Sequence, residues 1–302
     1  MKLLVQPDEG ISPLIADIKR ARSTIETTIF RFDLDEVEKA LEAAVGRGVR
    51  VRALVAHTNR GGEKLLRKLE LRLLDAGVIL ARSDDDLVRY HGKLLIVDRA
   101  ALHVMAFNYT RIDLRSRSFS VVTRDRRIVQ EALKLFESDM TRQPYVPSGA
   151  DLIVSPENAR ERLAEFLQKA RRQLLIYDPK IADPAMIRLL QERARKGVEV
   201  RVIGRMGERG KALNVAKPAE RLHARLIVRD GERAFLGSQS LRKAELDERR
   251  EVGIVIRDPK IIKRLVDVFQ SDWREACQGK CAKAMEERDV GIGAVAAAGS
   301  ES

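Results

Sequence analysis

Two stretches of the chain carry the same reactive side chains at the same spacing. The first holds His91, Lys93 and Asp98, and the second holds His223, Arg225 and Asp230. In each, a cation follows the histidine by two residues and an aspartate follows it by seven. On a strand, residues i and i+2 point to one face, so imidazole and cation are presented together. That pairing suits phosphate chemistry: the cation holds anionic oxygens while the imidazole attacks phosphorus or moves a proton. The chain has four histidines, and two of them occupy this motif. Core packing alone does not explain that coincidence. His57 and His103 have no repeated counterpart and read as structural. Asp98 and Asp230 stand at strand ends, where aspartate also favours turns, so they are candidates for either role.

The elements that must position these residues come from an internal duplication. GRGVRVRALV (46–55) echoes in RKGVEVRVIG (195–204), HGKLLIVD (91–98) in HARLIVRD (223–230), SVVTRD (120–125) in GIVIRD (253–258), and FESDM (136–140) in FQSDW (269–273). The offset is 149 at Gly48 and Gly197 but 132 at the two histidines, so the first half has 17 additional residues in between. Residues 61–77 have apolar side chains at helical spacing and a terminal glycine, which predicts an amphipathic helix. The corresponding stretch of the second half reads as a shortened loop.

Each half reads as helix, strand, helix, strand, a hairpin carrying the histidine, a further strand and a final helix. In the first half these are 12–22, 24–32, 35–47, 49–55, 94–98 with 101–107, 118–123 and 128–139. In the second they are 157–170, 173–178, 184–196, 198–204, 223–229 with 233–238, 251–256 and 259–272. The pattern predicts an α/β fold of two tandem pseudo-symmetric units, each a mixed sheet flanked by helices. Expected boundaries are 1–143 and 151–275 for the units, 144–150 for a Pro/Gly/Ser-rich linker, and 276–302 for a flexible tail of small and polar residues.

Composition narrows the function classes. Apolar residues are 44% of the 302-residue chain and charged residues 34%, which excludes wholesale disorder. The net charge of +12 and pI near 9.9 favour polyanionic partners, whether nucleic acid, an anionic membrane surface or phosphorylated small molecules. Aromatics at 4% weaken a stacking platform for single strands. Two cysteines, Cys277 and Cys281, exclude a disulfide scaffold, and their spacing without a nearby histidine is poor for metal. No run approaches the 18 apolar residues of a membrane span, and the N-terminus turns polar too early for a signal peptide. The expected location is cytoplasmic, with peripheral membrane contact as an option. Asp84–Asp86 and the arginines at 115, 117 and 124 with 126–127 read as solvated, the arginines having a phosphate-tracking surface as their alternative.

The duplicated motif resembles that of the phospholipase D superfamily, H-x-K-x4-D followed by G-S-x-N. The resemblance spans roughly residues 10–275. It implies that both histidines meet at one site between the halves of a single chain, with a monomer sufficient for activity. It implies a covalent phosphohistidine on one histidine and leaving-group protonation by the other, with no metal or cofactor. Water or a second alcohol then resolves the intermediate. By the same resemblance His91 is expected as nucleophile and His223 as acid, with Lys93, Arg225, Asn108, Ser238 and Ser240 toward the phosphate.

The departures from the pattern are specific. The G-S-x-N positions read Met105, Ala106, Phe107 and Asn108 in the first half, and Gly237, Ser238, Gln239 and Ser240 in the second. Arg225 replaces lysine. The acidic residue that supports the ring in the family matches Glu251, whereas its first-half counterpart is Ser118. Glu251 is therefore expected behind His223, as a carboxylate stands behind the histidine of a catalytic triad. Three functions fit: a phosphodiesterase or phosphatidyltransferase acting on phospholipid, a superfamily nuclease acting on DNA or RNA, and a catalytically weakened phosphate- or membrane-binding protein.

Overall fold

A computed structural model describes residues 1–58, 63–149, 151–210 and 213–277. The first half contains, in order, β1 (Lys2–Gln6), α1 (Ser12–Arg20), β2 (Thr24–Ile29), α2 (Asp35–Gly46), β3 (Arg50–Val55), α3 (Glu63–Asp75), β4 (Ile79–Arg82) and β5 (Arg89–Tyr90). It continues with β6 (Leu94–Val97), β7 (Ala101–Met105), α4 (Arg111–Leu114), β8 (Ser118–Thr123) and α5 (Arg126–Thr141). The second half begins with β9 (Leu152–Ser155), α6 (Ala159–Gln168), β10 (Gln173–Ile181), α7 (Pro184–Arg195) and β11 (Glu199–Met206). It ends with β12 (Asn214–Ala216), β13 (Leu226–Arg229), β14 (Arg233–Gly237), α8 (Lys243–Asp247), β15 (Arg249–Ile256) and a helix over 259–277.

The strand orders restate the duplication in space. One sheet runs β1-β8-β7-β6-β2-β3-β4, and the other carries the equivalent series β9-β15-β14-β13-β10-β11-β12. In each, the pairs following the βαβ connection are parallel (β2 with β3, β10 with β11) and the histidine-bearing hairpin is antiparallel. One apolar core, including Phe119, Tyr177 and Phe269, is drawn from both halves. A second core packs α1, α2 and α3 against the first sheet, and a third packs α6 and α7 against the other. The TRD and IRD echoes are helix caps: Asp125 Oδ1 accepts from the amides of Arg127 (2.9 Å) and Ile128 (3.4 Å), and Asp258 Oδ1 from those of Lys260 (3.0 Å) and Ile261 (3.4 Å).

Several features differ from the sequence expectation, which also did not contain β4, β5, α4 or α8. β1 and β9 open the two halves as strands, pairing antiparallel with β8 and β15. They are five and four residues long, too short for a clear period. The shortened stretch of the second half includes β12, which occupies the edge position that β4 holds in the first sheet. Within the expected linker, Tyr145 is buried and its hydroxyl bonds Glu131 on α5, whose carboxylate also takes the Ser148 amide at 2.8 Å. The last helix runs through Cys277 with Ala276 buried, so the expected tail does not start at 276. Residues 278–302, including Cys281, and residues 61–62 of the expected 61–77 helix lie outside the described residues.

Candidate functional site

The two halves exchange the segments that carry the histidines. β5, which immediately precedes His91, pairs with β15 of the other half, and the His91 amide donates to Arg250 O at 2.7 Å. In the mirror arrangement Leu222 bridges to Arg117 beside β8, and the His223 amide donates to Arg117 O at 3.0 Å. Each histidine is therefore fixed on the last strand of the opposite half.

This crossing corrects the expected partner of Glu251. The Glu251 carboxylate stands behind His91: the ring Nδ1 lies 2.8 Å from Oε2 and 3.0 Å from Oε1. Being next to Arg250 on β15, Glu251 faces the histidine delivered by the other half. By the same symmetry Ser118 faces His223, and its hydroxyl donates to His223 O at 3.1 Å. The carboxylate there comes from Asp113 on α4, with Oδ1 2.8 Å from His223 Nδ1. Asp113 is held by Arg221 Nη1 (2.8 Å) and by the Asn108 amide and side chain (2.9 and 2.6 Å to Oδ2). With both Nδ1 atoms facing carboxylates, Nε2 of each ring is the atom left for chemistry.

Lys93 and Arg225 lie in the same buried cluster. His91, Lys93, His223 and Arg225 are exposed by 7, 2, 9 and 8%. Lys93 Nζ donates to His91 O at 2.6 Å and sits 5.8 Å from the Phe30 ring centroid. Phe30 meets the His91 ring edge-on, with centroids 4.5 Å apart. Arg225 Nε donates to Ser240 Oγ at 3.3 Å. Asp178, buried behind them, accepts from the Leu241 amide at 2.8 Å and adds negative charge beside Arg225.

Burial dominates the electrostatics. It pushes His91 down to about 3 and His223 to about 4, with Lys93 and Arg225 adding repulsion against the carboxylates' opposite pull. Burial also lowers Lys93 to about 7. For Glu251, the burial that would raise it is outweighed by His91 and Lys93, leaving it at about 2. Asp113 is likewise held below its ordinary range, by His223, Asn108 and Arg221 against burial. The resting site thus contains two neutral imidazoles, two ionised carboxylates and a persistent guanidinium.

Other expected residues fall elsewhere. Asp98 and Asp230 are not brought to the histidines. They sit at the hairpin ends of β6 and β13, about five residues or roughly 16 Å along the strand from Lys93 and Arg225. Asp98 accepts from the amides of Arg22, Ser23 and Thr24, and Asp230 from those of Arg171, Arg172 and Gln173. Both adopt positive φ, 53° and 57°, so they are turn and strand-entry clamps, and the seven-residue spacing reflects strand length. Asn108 turns its amide to Asp113, so it positions that carboxylate. Ser238 Oγ bridges the Val252 amide and carbonyl at 3.0 and 3.3 Å, next to Glu251. Arg117, expected as solvated, is mostly buried and bonds Asp272 at 2.8 Å. His103 is buried against Asp17 at 3.1 Å, and His57 is exposed.

Asp113, Phe30 and Asp178 were missed from the sequence. A signal for Asp113 existed: the 132-residue offset that relates the histidines maps it onto Glu245, an acid in the equivalent short helix α8.

Comparison with known proteins identifies the family and the fold. The sequence matches the family described as "Cardiolipin synthase, PLD-like domain" over residues 14–140 and 163–273. A polyphosphate kinase of Vibrio vulnificus is 26% identical over 267 residues, 78% of this chain and 38% of that protein. The mitochondrial cardiolipin hydrolase of Mus musculus is 27% identical over 150 residues, 48% of this chain and 66% of that protein. Among solved structures, polyphosphate kinase from Porphyromonas gingivalis superposes with TM-score 0.76 at 19% identity, covering 90% of this chain and 47% of that one. Phosphatidylserine synthase from Haemophilus influenzae gives TM-score 0.67 at 11% identity, covering 91% and 86%. The chain spans less than half the length of the polyphosphate kinases it matches. With one family matched in both halves, over most of the sequence and across both histidine motifs, this chain belongs to the phospholipase D-like family.

Proposed function

We propose that the protein is a phosphodiesterase that hydrolyses or transfers a phosphatidyl group through a phosphohistidine. The observation that carries the reading is the crossed pair of imidazoles, each backed by a carboxylate from the opposite half and set beside Lys93 and Arg225. Orientation by Glu251 on Nδ1 leaves His91 Nε2 as a lone-pair donor, which supports His91 as nucleophile. In the first step that lone pair forms the N–P bond, the P–O bond to the leaving alcohol breaks, and His223 Nε2 delivers its proton to the departing oxygen. In the second step water or another alcohol gives its proton to His223 as its oxygen attacks phosphorus, and the N–P bond breaks. A bound phosphate supplies negative charge opposite Lys93 and Arg225, which raises His223 toward the protonated form its role requires. The lipid reading is supported by the family description and by the lipid-named relatives.

A second reading, transfer between phosphoanhydrides, is favoured by the polyphosphate kinase relatives, which align with most of this chain. The deciding experiment is a parallel assay on phosphatidylglycerol, phosphatidylcholine, plasmid DNA, RNA and tripolyphosphate. Release of alcohol or headgroup from lipid is expected. Turnover of tripolyphosphate or nucleic acid with lipid untouched overturns the lipid substrate. Labelled substrate quenched at alkaline pH should leave acid-labile phosphate on residue 91, absent in His91→Ala. Label retained in that variant overturns the assignment of the nucleophile.

A further inference from the structure

The opposite end of β13 from Arg225 forms a second concentration of cations that the catalytic site does not use. A cleft of about 120 Å³ lies between α6 and the β13–β14 hairpin, lined by Arg162, Phe166, Lys169, Arg229, Arg233 and Arg257 with Asp151 and Glu165. Its two carboxylates are already engaged: Glu165 pairs with Lys169, and Asp151 takes Arg257 Nε at 2.8 Å. Among the described residues, Arg162, Arg229 and Arg233 have no carboxylate within ion-pair distance. Arg229 is fixed, its Nη1 donating to Phe166 O at 3.2 Å and its guanidinium 4.6 Å from the Phe166 ring centroid. Burial lowers its affinity for its proton, and the nearby Arg233 and Arg257 oppose the charge further, against the pull of Asp230 and Glu232. Those last two acids are committed elsewhere, Asp230 to backbone amides and Glu232 to Arg172 at 2.7 Å.

The scaffold does not require these cations. Across the duplication, Arg229 and Arg233 correspond to Val97 and Ala101, and Arg162 to Pro13. At the same place the first half buries His103 against Asp17, whereas the second half has Phe235 and Phe166. The same hairpin and helix therefore pack without an arginine cluster. Half-buried guanidiniums that outnumber the carboxylates around them, with those carboxylates already paired to other cations, gain from an anion that joins them. Their forked donors match phosphate oxygens. The cleft, about 120 Å³ and open to solvent, has room for a phosphate group.

We propose that the cleft between α6 and the β13–β14 hairpin binds a small oligophosphate anion through Arg162, Arg229 and Arg233. The test is calorimetric titration of the full chain with tripolyphosphate at low ionic strength, comparing wild type with the R162A/R233A double variant. One binding event is expected to disappear or weaken at least tenfold. Diester hydrolysis assayed without oligophosphate should be unchanged, which separates this site from the histidines. In phosphate-free buffer the variant should melt at or above the wild-type temperature, because repulsion has been relieved, and should lose part of the rise that tripolyphosphate gives. Unchanged stoichiometry and affinity overturn the proposal, as does a lower phosphate-free melting temperature with unchanged affinity, which marks the arginines as structural. If the variant binds phosphatidylglycerol vesicles less well but tripolyphosphate equally, the small-anion proposal also fails.

Discussion

At the scale of single residues, the two histidines differ in what stands behind them, and the difference is testable. Glu251 puts both carboxylate oxygens within 3.0 Å of His91 Nδ1, whereas Asp113 contacts His223 through one oxygen while also holding Arg221 and Asn108. If His91 attacks and His223 protonates the leaving oxygen, the two carboxylates respond differently to leaving-group quality. Glu251→Gln should slow an alkyl diester by about 10²- to 10⁴-fold and slow a p-nitrophenyl diester comparably. Asp113→Asn should slow the alkyl diester in the same range yet leave the first step on the p-nitrophenyl diester within about tenfold, since nitrophenolate departs without a proton. Burst kinetics read this directly, and equal losses on both substrates in Asp113→Asn would reverse the roles. The histidines and cations were legible in the sequence because uncommon residue types recur at one offset. The partner of Glu251 was not, because a linear motif does not say that the halves exchange their histidine segments.

At the scale of elements, the Gly237–Ser238 pair and its replacement by Met105–Ala106 have a packing explanation. Gly237 lies opposite Gly253 where β14 pairs with β15, and a Cβ added at Gly237 would fall 2.5 Å from Gly253 Cα and 2.8 Å from Val252 O. Both obstacles are backbone, so the strands themselves must part. The first-half position faces Ser120 and places Met105 in the apolar core beside Phe107. Gly237→Ala should therefore cost roughly 1–3 kcal/mol, as overpacking does, and should disturb Glu251 two residues from the point of contact. Urea unfolding checks the first and the alkyl-diester rate the second. A variant with wild-type stability would show that β14 and β15 separate without cost. Element types were readable wherever a segment ran long enough to show a period, as in α5 and α7. The FESDM and FQSDW echoes were visible too, but their use was not. Asp139 takes Arg250 Nε at 3.2 Å and Asp272 takes Arg117 Nε at 2.8 Å, two ion pairs that cross between the halves. Repetition marked these aspartates, and only the folded chain shows that each serves the other repeat.

At the scale of the whole molecule, the shared core and the crossed strands make folding and assembly of the site one event, so the titration of the site is written into stability. His91 at about 3 and His223 at about 4 lie below the ordinary value of 6.5. Between those values and 6.5 the unfolded chain binds protons that the folded chain refuses, so these two groups make stability fall as pH drops through that window. Asp139, raised to about 7 by burial, has the opposite sign: the folded chain keeps a proton that the unfolded chain releases. Near pH 5 the two histidines therefore act against Asp139 and against Glu26 and Asp178, whose carboxyls burial also raises. Replacing both histidines in His91→Gln/His223→Gln leaves an amide that can donate to Glu251 and Asp113 and removes both titrations. The slope of unfolding free energy against pH, measured by urea denaturation between pH 4.5 and 6, should drop by up to about 2.7 kcal/mol per pH unit, the worth of two protons. An unchanged slope would mean that the folded site already holds protonated imidazoles, and the neutral His91 required for attack would then be lost. Substrate binding works on the same balance. A phosphate between Lys93 and Arg225 lifts both rings, so a saturating, slowly hydrolysed diester should return part of the stability lost on acidification in the wild type and none in the double variant.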